Sequence, residues 1–160
     1  MKKEPVPVQI RGIFPYSSGV GAAIFLGTTE KVFVIAVDPG MARVIHEFME
    51  KAEKKRPLTH DLMLHVMKGF GITLERVLIT DLRDGTFFAR LVLQEQNELH
   101  TSRKIVEIDA RPSDCLALAA AQKRPVFVSA ALFESIDDAT PMLEKLMHEG
   151  TAEPESGAEL

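Results

Sequence analysis

The sequence predicts an α+β fold in a single domain, with a sheet flanked by helices. Three observations predict it: short β-branched segments bounded by glycine and proline, apolar residues that recur at helical spacing, and a hairpin signal at Asp84–Gly85. The chain has 160 residues, which is close to the size of one domain. We therefore expect the strands and helices to share one core.

The first half of the chain predicts three strands and then a helix. Residues from Val6 to Phe14, from Ala22 to Leu26 and from Val32 to Val37 are short and rich in β-branched side chains, which favours strands. Asp38 is placed to cap the following helix, and Pro39 suits its first turn. The apolar residues after Pro39 then recur at helical spacing.

A second helix is predicted over residues 60–70. Thr59 can cap this helix, and Gly69 and Gly71 act as stop signals. Its apolar stripe, which we expect to face the core, consists of Leu62, Met63, Val66, Met67 and Phe70.

The second half of the chain predicts a hairpin, an edge strand, a helix and a short strand. Ile72 to Asp81 and Phe87 to Leu93 form the hairpin, because the Asp-Gly pair between them tolerates the positive φ angles of a type I′ turn. A strand from Arg103 to Asp109 and a helix from Pro112 to about Gln122 follow. Val126 to Val128 predicts the last strand.

Two strands followed by a helix occur in both halves, which suggests an internal ββα duplication. In both halves an aspartate, Asp38 or Asp109, stands where a strand gives way to a helix. Free backbone N–H groups and the helix dipole favour negative charge at such a point. The two units would then pack about a pseudo-twofold axis.

The C-terminal part predicts two helices and an acidic tail. Ser129 can cap one helical turn, and Thr140–Pro141 starts a last helix. Its inward residues should be Met142, Leu143, Leu146 and Met147. We expect residues 1–135 to form the domain and residues 136–148 to pack on it as a helix. Residues 149–160 should be disordered, because this Gly/Glu/Pro-rich segment cannot bury enough apolar surface.

The charge of the chain restricts how it could bind nucleic acid. The net charge is −4, and setting aside the four glutamates of the tail leaves 19 acidic and 19 basic residues in residues 1–148. Because the folded body is neutral, binding to phosphates must depend on local cations or on a metal. The concentrated basic stretch is either a solvated helix end or a patch that contacts phosphate, and it contains Lys51, Lys54, Lys55 and Arg56.

The apolar runs and the N-terminus predict a cytoplasmic protein. The longest apolar run, Cys115 to Ala121, has seven residues, whereas a membrane-spanning helix needs about 20. The positive start at Met1–Lys3 leads into no apolar stretch of the kind that a secretory signal requires. Cys115 is the single cysteine, and its apolar surroundings predict a buried thiol with a packing role.

Three polar clusters stand at the boundaries of the predicted elements: Arg56–Leu62, Thr80–Gly85 and Ile108–Asp114. Together with the segment Ile79 to Ala89 around Asp-Gly-Thr-Phe-Phe, they resemble the bifunctional nuclease family over roughly residues 10–135. The resemblance implies an α+β domain with a twisted, mainly antiparallel sheet and, in some members, hydrolysis of both DNA and RNA.

The chain departs from the family pattern at the start of the first helix. Family members usually carry an acidic residue followed by alanine there, and the corresponding place in this chain looks like Met41–Ala42. An acidic contribution to the site is therefore missing from that position. Asp38 could substitute for it.

Three aspartates are the predicted ligands of a divalent metal. Hydrolysis of a phosphodiester needs charge neutralisation at the phosphate and an activated water, which clustered carboxylates can supply by holding Mg²⁺ or Mn²⁺. The ligands expected on this basis are Asp81, Asp109 and Asp114. Asp84 is explained by its turn instead.

Two arginines and a histidine complete the predicted catalytic set. Arg83 and Arg111 have the planar guanidinium that suits a phosphate group. His60 could transfer a proton near neutral pH. The predicted function is a nuclease that hydrolyses DNA or RNA with help from a divalent metal.

Each of these residues also has a structural explanation. Asp81 could pair across the hairpin with Arg90, Asp109 could bind the amides of the next helix, and Asp114 could meet the helix dipole. The two arginines could clamp carboxylates within their own loops, and His60 could be an ordinary residue at a helix start.

These explanations define an alternative function. In it the chain is a non-catalytic binding or scaffold module whose acidic and basic loop residues form an internal ion network. The neutral body of the chain and the missing acidic residue at the first helix favour this alternative. In either case an exposed sheet edge predicts self-association, for example as a homodimer.

Overall fold

Seven strands form one sheet and five helices cover it, in a computed structural model that describes residues 3–96 and 103–151. The strands are β1 (Val6–Pro15), β2 (Ala22–Gly27), β3 (Val32–Val37), β4 (Ile72–Arg83), β5 (Thr86–Glu95), β6 (Lys104–Ala110) and β7 (Val126–Val128). The helices are α1 (Pro39–Met49), α2 (Thr59–Gly69), α3 (Pro112–Gln122), α4 (Ala130–Ser135) and α5 (Thr140–Thr151). In these residues no helix has the length and apolar content that a membrane crossing needs.

The sheet is mixed but mainly antiparallel, which confirms the predicted fold class. Its strand order is β3-β2-β1-β7-β4-β5-β6, and β7 runs parallel to β4 while the other neighbouring pairs are antiparallel. The hairpin prediction is confirmed, since Asp84 and Gly85 have φ angles of 50° and 75°. Positive φ at both central residues is the signature of a type I′ turn.

Each half of the sheet contains an antiparallel three-strand meander that ends in a helix. Strands β1 to β3 lead into α1, strands β4 to β6 lead into α3, and β3 and β6 form the two edges. The helix starts differ, because Asp38 is the N-cap of α1 whereas Arg111 is the N-cap of α3. Asp109 lies inside β6 and does not occupy the position of Asp38. The internal duplication stays a prediction.

Apolar side chains enter two cores, one on each face of the sheet. Ile24 and Leu26 of β2 belong to the main core, which α1 and α3 cover. Ala23 and Phe25 point the other way, into a smaller core with Leu143 of α5. Strand β2 is therefore buried on both faces, which explains its unbroken run of apolar residues.

Helix α3 lies at the centre of the main core. All of the residues from Cys115 to Ala119 are buried, and the helix packs against α1, β4 and β5. Burial raises the pKa of the Cys115 thiol to about 12. The helix is apolar on nearly all sides because it is covered on nearly all sides, and the packing role predicted for Cys115 is confirmed.

Helix α2 turns a different face to the core than its apolar stripe predicts. Met67 is buried, and His60 is buried beside it on the inward face. The other four residues of the stripe have exposed fractions of 41–75%, and they are Leu62, Met63, Val66 and Phe70. The prediction is wrong for these four, and α2 presents an apolar face outward.

Helix α5 also buries fewer residues than predicted. Leu143 is buried, but about half of the surface of Met142 and Met147 is exposed. The helix continues to Thr151, three residues beyond the predicted end at residue 148. The rest of the predicted acidic tail, residues 152–160, lies outside the described residues.

Gly27 ends β2 where no side chain fits. A Cβ atom at Gly27 would lie 2.6 Å from the Cα of Val32 and 2.9 Å from the carbonyl carbon of Lys31. Gly27→Ala should therefore lower the free energy of unfolding by about 1–3 kcal/mol, the usual cost of overpacking. Urea unfolding measures this.

The matched control is Gly69→Ala, because a Cβ atom at Gly69 would meet nothing within 4 Å. This control should change the free energy of unfolding by less than about 1 kcal/mol. Equal unfolding midpoints for the two variants would contradict the close approach at Gly27.

Candidate functional site

A groove of about 1200 Å³ opens where the N-terminal ends of α1, α2 and α3 meet strand β6. We call it the His60 groove. Apolar residues of α2 and the sheet, among them Leu62, Met63 and Ile108, form part of its wall. The polar residues that line it are Asp38, Thr59, His60, Asp109, Arg111 and Asp114.

Local sequence signals start the three helices at this groove. The Asp38 carboxylate accepts the backbone N–H of Met41 at 2.9 Å and begins α1, as predicted. Pro112 occupies the first turn of α3, where a missing N–H costs nothing. Helix α2 begins after Leu58, whose N–H donates to Asp61 Oδ2 at 2.9 Å, so Thr59 is not the cap that the sequence predicts.

Two of the predicted polar clusters meet at the carboxylate of Asp114. The Nε2 atom of His60 lies 2.9 Å from Asp114 Oδ1, a contact that joins residues 54 positions apart in the chain. Arg111 donates from Nε to Asp114 Oδ2 at 2.8 Å and from Nη2 to Oδ1 at 3.3 Å. Both oxygens of Asp114 are thus engaged by this triad.

The triad keeps Asp114 ionised at neutral pH. Burial raises the pKa of Asp114, but the hydrogen bonds from Arg111 and His60 outweigh it, and the pKa lies below the ordinary value of an aspartate. The hydrogen bond to Asp114 in turn raises the pKa of Arg111, with a smaller contribution from the charge of Asp38. Both members of this ion pair therefore carry their charge.

An ionised Asp114 determines which ring nitrogen of His60 carries the proton. A carboxylate only accepts hydrogen bonds, so Nε2 of His60 must donate to it. In the neutral ring Nδ1 then keeps a lone pair, and no hydrogen-bond partner for Nδ1 exists among residues 3–96 and 103–151. His60 lines the groove, although only 11% of its side chain is exposed.

Asp109 and Asp38 complete the acidic part of the groove. Asp109 is exposed on β6, the edge strand, and its carboxylate makes no hydrogen bond or ion pair within the described parts of the chain. One oxygen of Asp38 is used by the cap of α1. The structural alternative for Asp109, hydrogen bonds to the amides of the next helix, is therefore wrong.

Asp81 and Arg83 lie apart from the triad. Asp81 Oδ2 accepts from Arg83 Nε at 2.6 Å, and Asp81 Oδ1 accepts the N–H of Leu82 at 2.8 Å, so the hydrogen bond from Arg83 lowers the pKa of Asp81. The guanidinium of Arg83 lies over the ring of Phe88. Neither Asp81 nor Arg83 lines the His60 groove.

The predicted cross-strand ion pair between Asp81 and Arg90 is wrong, although the hairpin register that suggested it is correct. Asp81 does lie opposite Phe88. Arg90, however, donates to Glu107 Oε2 at 2.9 Å on the neighbouring strand β6. Asp81 takes the arginine two residues along its own strand instead.

The donor set does not fit a metal held by Asp81, Asp109 and Asp114. Asp81 is engaged on the hairpin, and both oxygens of Asp114 accept from cations. Across the described residues, no group of three or more His, Cys, Asp or Glu side chains is arranged to hold a metal ion. Asp109 and Asp38 are the carboxylates left with open oxygens in the His60 groove.

Sequence reasoning missed the role of Lys54. Its ammonium lies 2.9 Å from Asp61 Oδ2 and 3.9 Å from the centroid of the Phe48 ring. It therefore ties the end of the α1 segment to the start of α2 and is not a free phosphate contact. The spacing of seven residues between Lys54 and Asp61 crosses a proline break, so no helical pattern signals the pair.

The fold and the groove together define an α+β protein whose polar site combines a histidine, an arginine and carboxylates. The bifunctional nuclease domain matches residues 24–140 of the chain. The chain belongs to the bifunctional nuclease domain family, and the resemblance found in its polar clusters is confirmed.

Two relatives are known from Mycobacterium tuberculosis, and both are described as uncharacterized proteins. One comes from strain H37Rv and the other from strain CDC 1551 / Oshkosh, and each is 36% identical to this chain over 80 residues. The matched segment covers 50% of this chain and 43% of each relative, so it spans less than half of their length.

The lowered pKa of Asp114 predicts a pH dependence of stability. A group whose pKa is lowered by folding stabilises the fold above its unfolded pKa and loses this contribution as the pH falls through its folded pKa. Asp114→Asn should thus reduce the free energy of unfolding above pH 3.8, the ordinary value. The difference from wild type should shrink as the pH falls further below that value.

Urea unfolding over a series of pH values measures this difference. Asp84→Asn, in the hairpin turn, controls for the replacement of a carboxylate by an amide outside the triad. A difference for Asp114→Asn that persists unchanged into strong acid would rule out the stabilising charge on Asp114.

Proposed function

We propose that this protein is a hydrolase that cleaves phosphodiester bonds of DNA or RNA in the His60 groove. The observation that carries the proposal is the triad, in which Asp114 holds both Nε2 of His60 and the guanidinium of Arg111 at one groove. Membership in the bifunctional nuclease domain family supports the reaction class.

His60 acts as the general base in this proposal. Water in the groove loses a proton to Nδ1 of His60 while its oxygen forms a bond to phosphorus. The bond from phosphorus to the leaving nucleoside oxygen breaks, and that oxygen takes up a proton from the imidazolium or from solvent. The ionised Asp114 stabilises the imidazolium that forms, as a carboxylate does in other histidine-based hydrolases.

Arg111 binds the phosphate. Its hydrogen bonds to Asp114 use Nε and one N–H of Nη2, which leaves Nη1 and the second N–H of Nη2 as donors. About two thirds of its side chain is exposed, with a side-chain relative exposure of 68%. The guanidinium can therefore contact a non-bridging phosphate oxygen without releasing Asp114.

Mg²⁺ or Mn²⁺ stays a prediction from the sequence. A bound divalent cation would supply charge neutralisation at the phosphate. The three predicted ligands do not converge, and within the His60 groove the carboxylates with open oxygens are Asp109 and Asp38. The steps proposed for His60, Asp114 and Arg111 do not require any of these three residues to bind a metal.

One observation favours the alternative of a non-catalytic binding module. The bonds of Asp114 to Arg111 and His60 are the internal ion network that this alternative expects. Such a network would hold α2 against α3 and shape the groove for a ligand without reaction. The two functions differ in whether His60 Nδ1 and the free donors of Arg111 act on a substrate.

A nuclease assay with single variants tests the proposal. His60→Gln should lower kcat by about 10²–10⁴-fold, the usual contribution of a general base. Asp114→Asn should lower kcat as well, because the imidazolium loses its counter-charge. Arg111→Gln should lower kcat/KM, since the phosphate loses a donor. Labelled single-stranded DNA and RNA serve as substrates, with Mg²⁺, with Mn²⁺ and with chelator.

Asp81→Asn is the matched control, because Asp81 is a predicted site residue that lies outside the groove. It should keep the activity of the wild type. Loss of activity in Asp81→Asn with full activity in His60→Gln would overturn the assignment of the groove. A folded wild-type protein that cleaves neither substrate under any of the metal conditions would favour the binding module.

We also propose that the protein is a cytoplasmic homodimer. Strand β6 supports self-association, because it is an edge strand that exposes Ile105, Val106 and Ile108. A monomeric mass in sedimentation equilibrium at high protein concentration would contradict the homodimer.

A further inference from the structure

A second groove, of about 760 Å³, lies at the opposite ends of α1 and α3. Met49 at the end of α1 and Lys123 after α3 line it, together with Arg11 of β1 and Arg124 before β7. Helices of 11 residues separate it from the His60 groove, which corresponds to about 16 Å at 1.5 Å per residue. It shares no lining residue with the His60 groove.

Two lysines meet at the edge of this groove: Lys123 lines it, and Lys51 lies just outside its lining. Lys51 follows α1 and Lys123 follows α3, and the two helices pack against each other. The two side chains are in contact, and this contact and the charge of Lys51 lower the pKa of Lys123. Arg11 and Arg124 add two further cations, and none of the four forms a salt bridge in residues 3–96 and 103–151.

The backbone at both lysines is unfavourable for lysine. Lys51 has a φ of 52° and Lys123 a φ of 51°, and the third non-glycine residue with positive φ in the described chain is Asp84 of the hairpin turn. Glycine is the usual residue in this conformation after a helix. The helix dipole favours a cation there, but it does not explain why two cations approach each other.

We propose that Lys51, Lys123, Arg11 and Arg124 form a binding site for the phosphate groups of an anionic ligand, distinct from the His60 groove. A phosphate between the lysines removes their mutual repulsion and supplies the missing counter-charge. In a protein whose body has no net charge, such a local cluster is the means by which phosphate affinity arises. The site does not depend on the proposed hydrolysis.

Binding to two probes shows whether the phosphate belongs to a small ligand or to a polynucleotide. Pyrophosphate tests a small phosphate ligand, and a labelled single-stranded oligothymidylate tests a polynucleotide backbone. Titrations use calorimetry and fluorescence anisotropy on the full chain, with a chelator present so that hydrolysis assisted by a metal does not contribute. Pyrophosphate is not a phosphodiester, so its binding is independent of the proposed reaction.

The double variant Lys51→Gly/Lys123→Gly removes both charges and suits the backbone. We expect it to unfold at or above the midpoint of the wild type and to bind the phosphate probe at least about tenfold more weakly. For the oligonucleotide, the slope of log K against log salt should fall by about one for each lysine. Lys51→Arg/Lys123→Arg keeps the charges and should restore binding.

Lys68→Gln/Arg76→Gln is the matched control, because it removes the same net charge from two exposed residues outside the groove. This control should bind like the wild type. Weaker binding in the glycine variant, with unchanged binding in the control, supports the site. The probe that is weakened shows whether the ligand is a small phosphate or a polynucleotide. Absence of binding by the wild type, equal binding by the glycine variant, or equal weakening in the control would overturn it.

Discussion

The arrangement of the groove depends on one carboxylate that accepts hydrogen bonds from two directions. Asp114 lies in the first turn of α3, where it holds Arg111 of its own helix start and His60 of α2. An unpaired carboxylate that is partly buried would be costly, so the position of α2 is coupled to the charge of Asp114. The same contact determines which nitrogen of the neutral His60 ring carries the proton.

Elements whose signals lie within a few residues could be predicted from the sequence. Asp84–Gly85 determines its own turn through positive φ, and Asp38–Pro39 and Pro112 start helices through local hydrogen bonds and a fixed φ. Strand β2 was predictable for a different reason, because burial on both faces leaves no polar position in it. In these cases the neighbours in sequence are also the neighbours that decide the structure.

The orientation of α2 could not be predicted in the same way. Hydrophobic periodicity alone selects the stripe of Leu62, Met63, Val66, Met67 and Phe70, of which only Met67 is buried. The structure turns His60 inward together with Met67. A histidine is buried at this position because a carboxylate 54 residues away satisfies it, and no local pattern contains that information.

The candidate site was predictable in its residue types and only partly in its grouping. Four of the six predicted residues, His60, Asp109, Arg111 and Asp114, line one groove, because the starts of α2 and α3 meet there. Asp81 and Arg83 satisfy each other on the hairpin, where a pair two residues apart costs little chain entropy. Sequence spacing shows that acidic and basic residues are close in the chain, but it does not show which partner each one takes.

The hydrogen bond between Asp114 and the ring of His60 is tested most directly by a long-range ¹H–¹⁵N NMR correlation of the histidine side chains. His60→Gln identifies the signals of His60 among those of the other histidines. If Asp114 holds the ring as described, the neutral His60 is protonated at Nε2 and bears a lone pair at Nδ1. A neutral His60 protonated at Nδ1 would contradict both the hydrogen bond to Asp114 and the role of Nδ1 as a base.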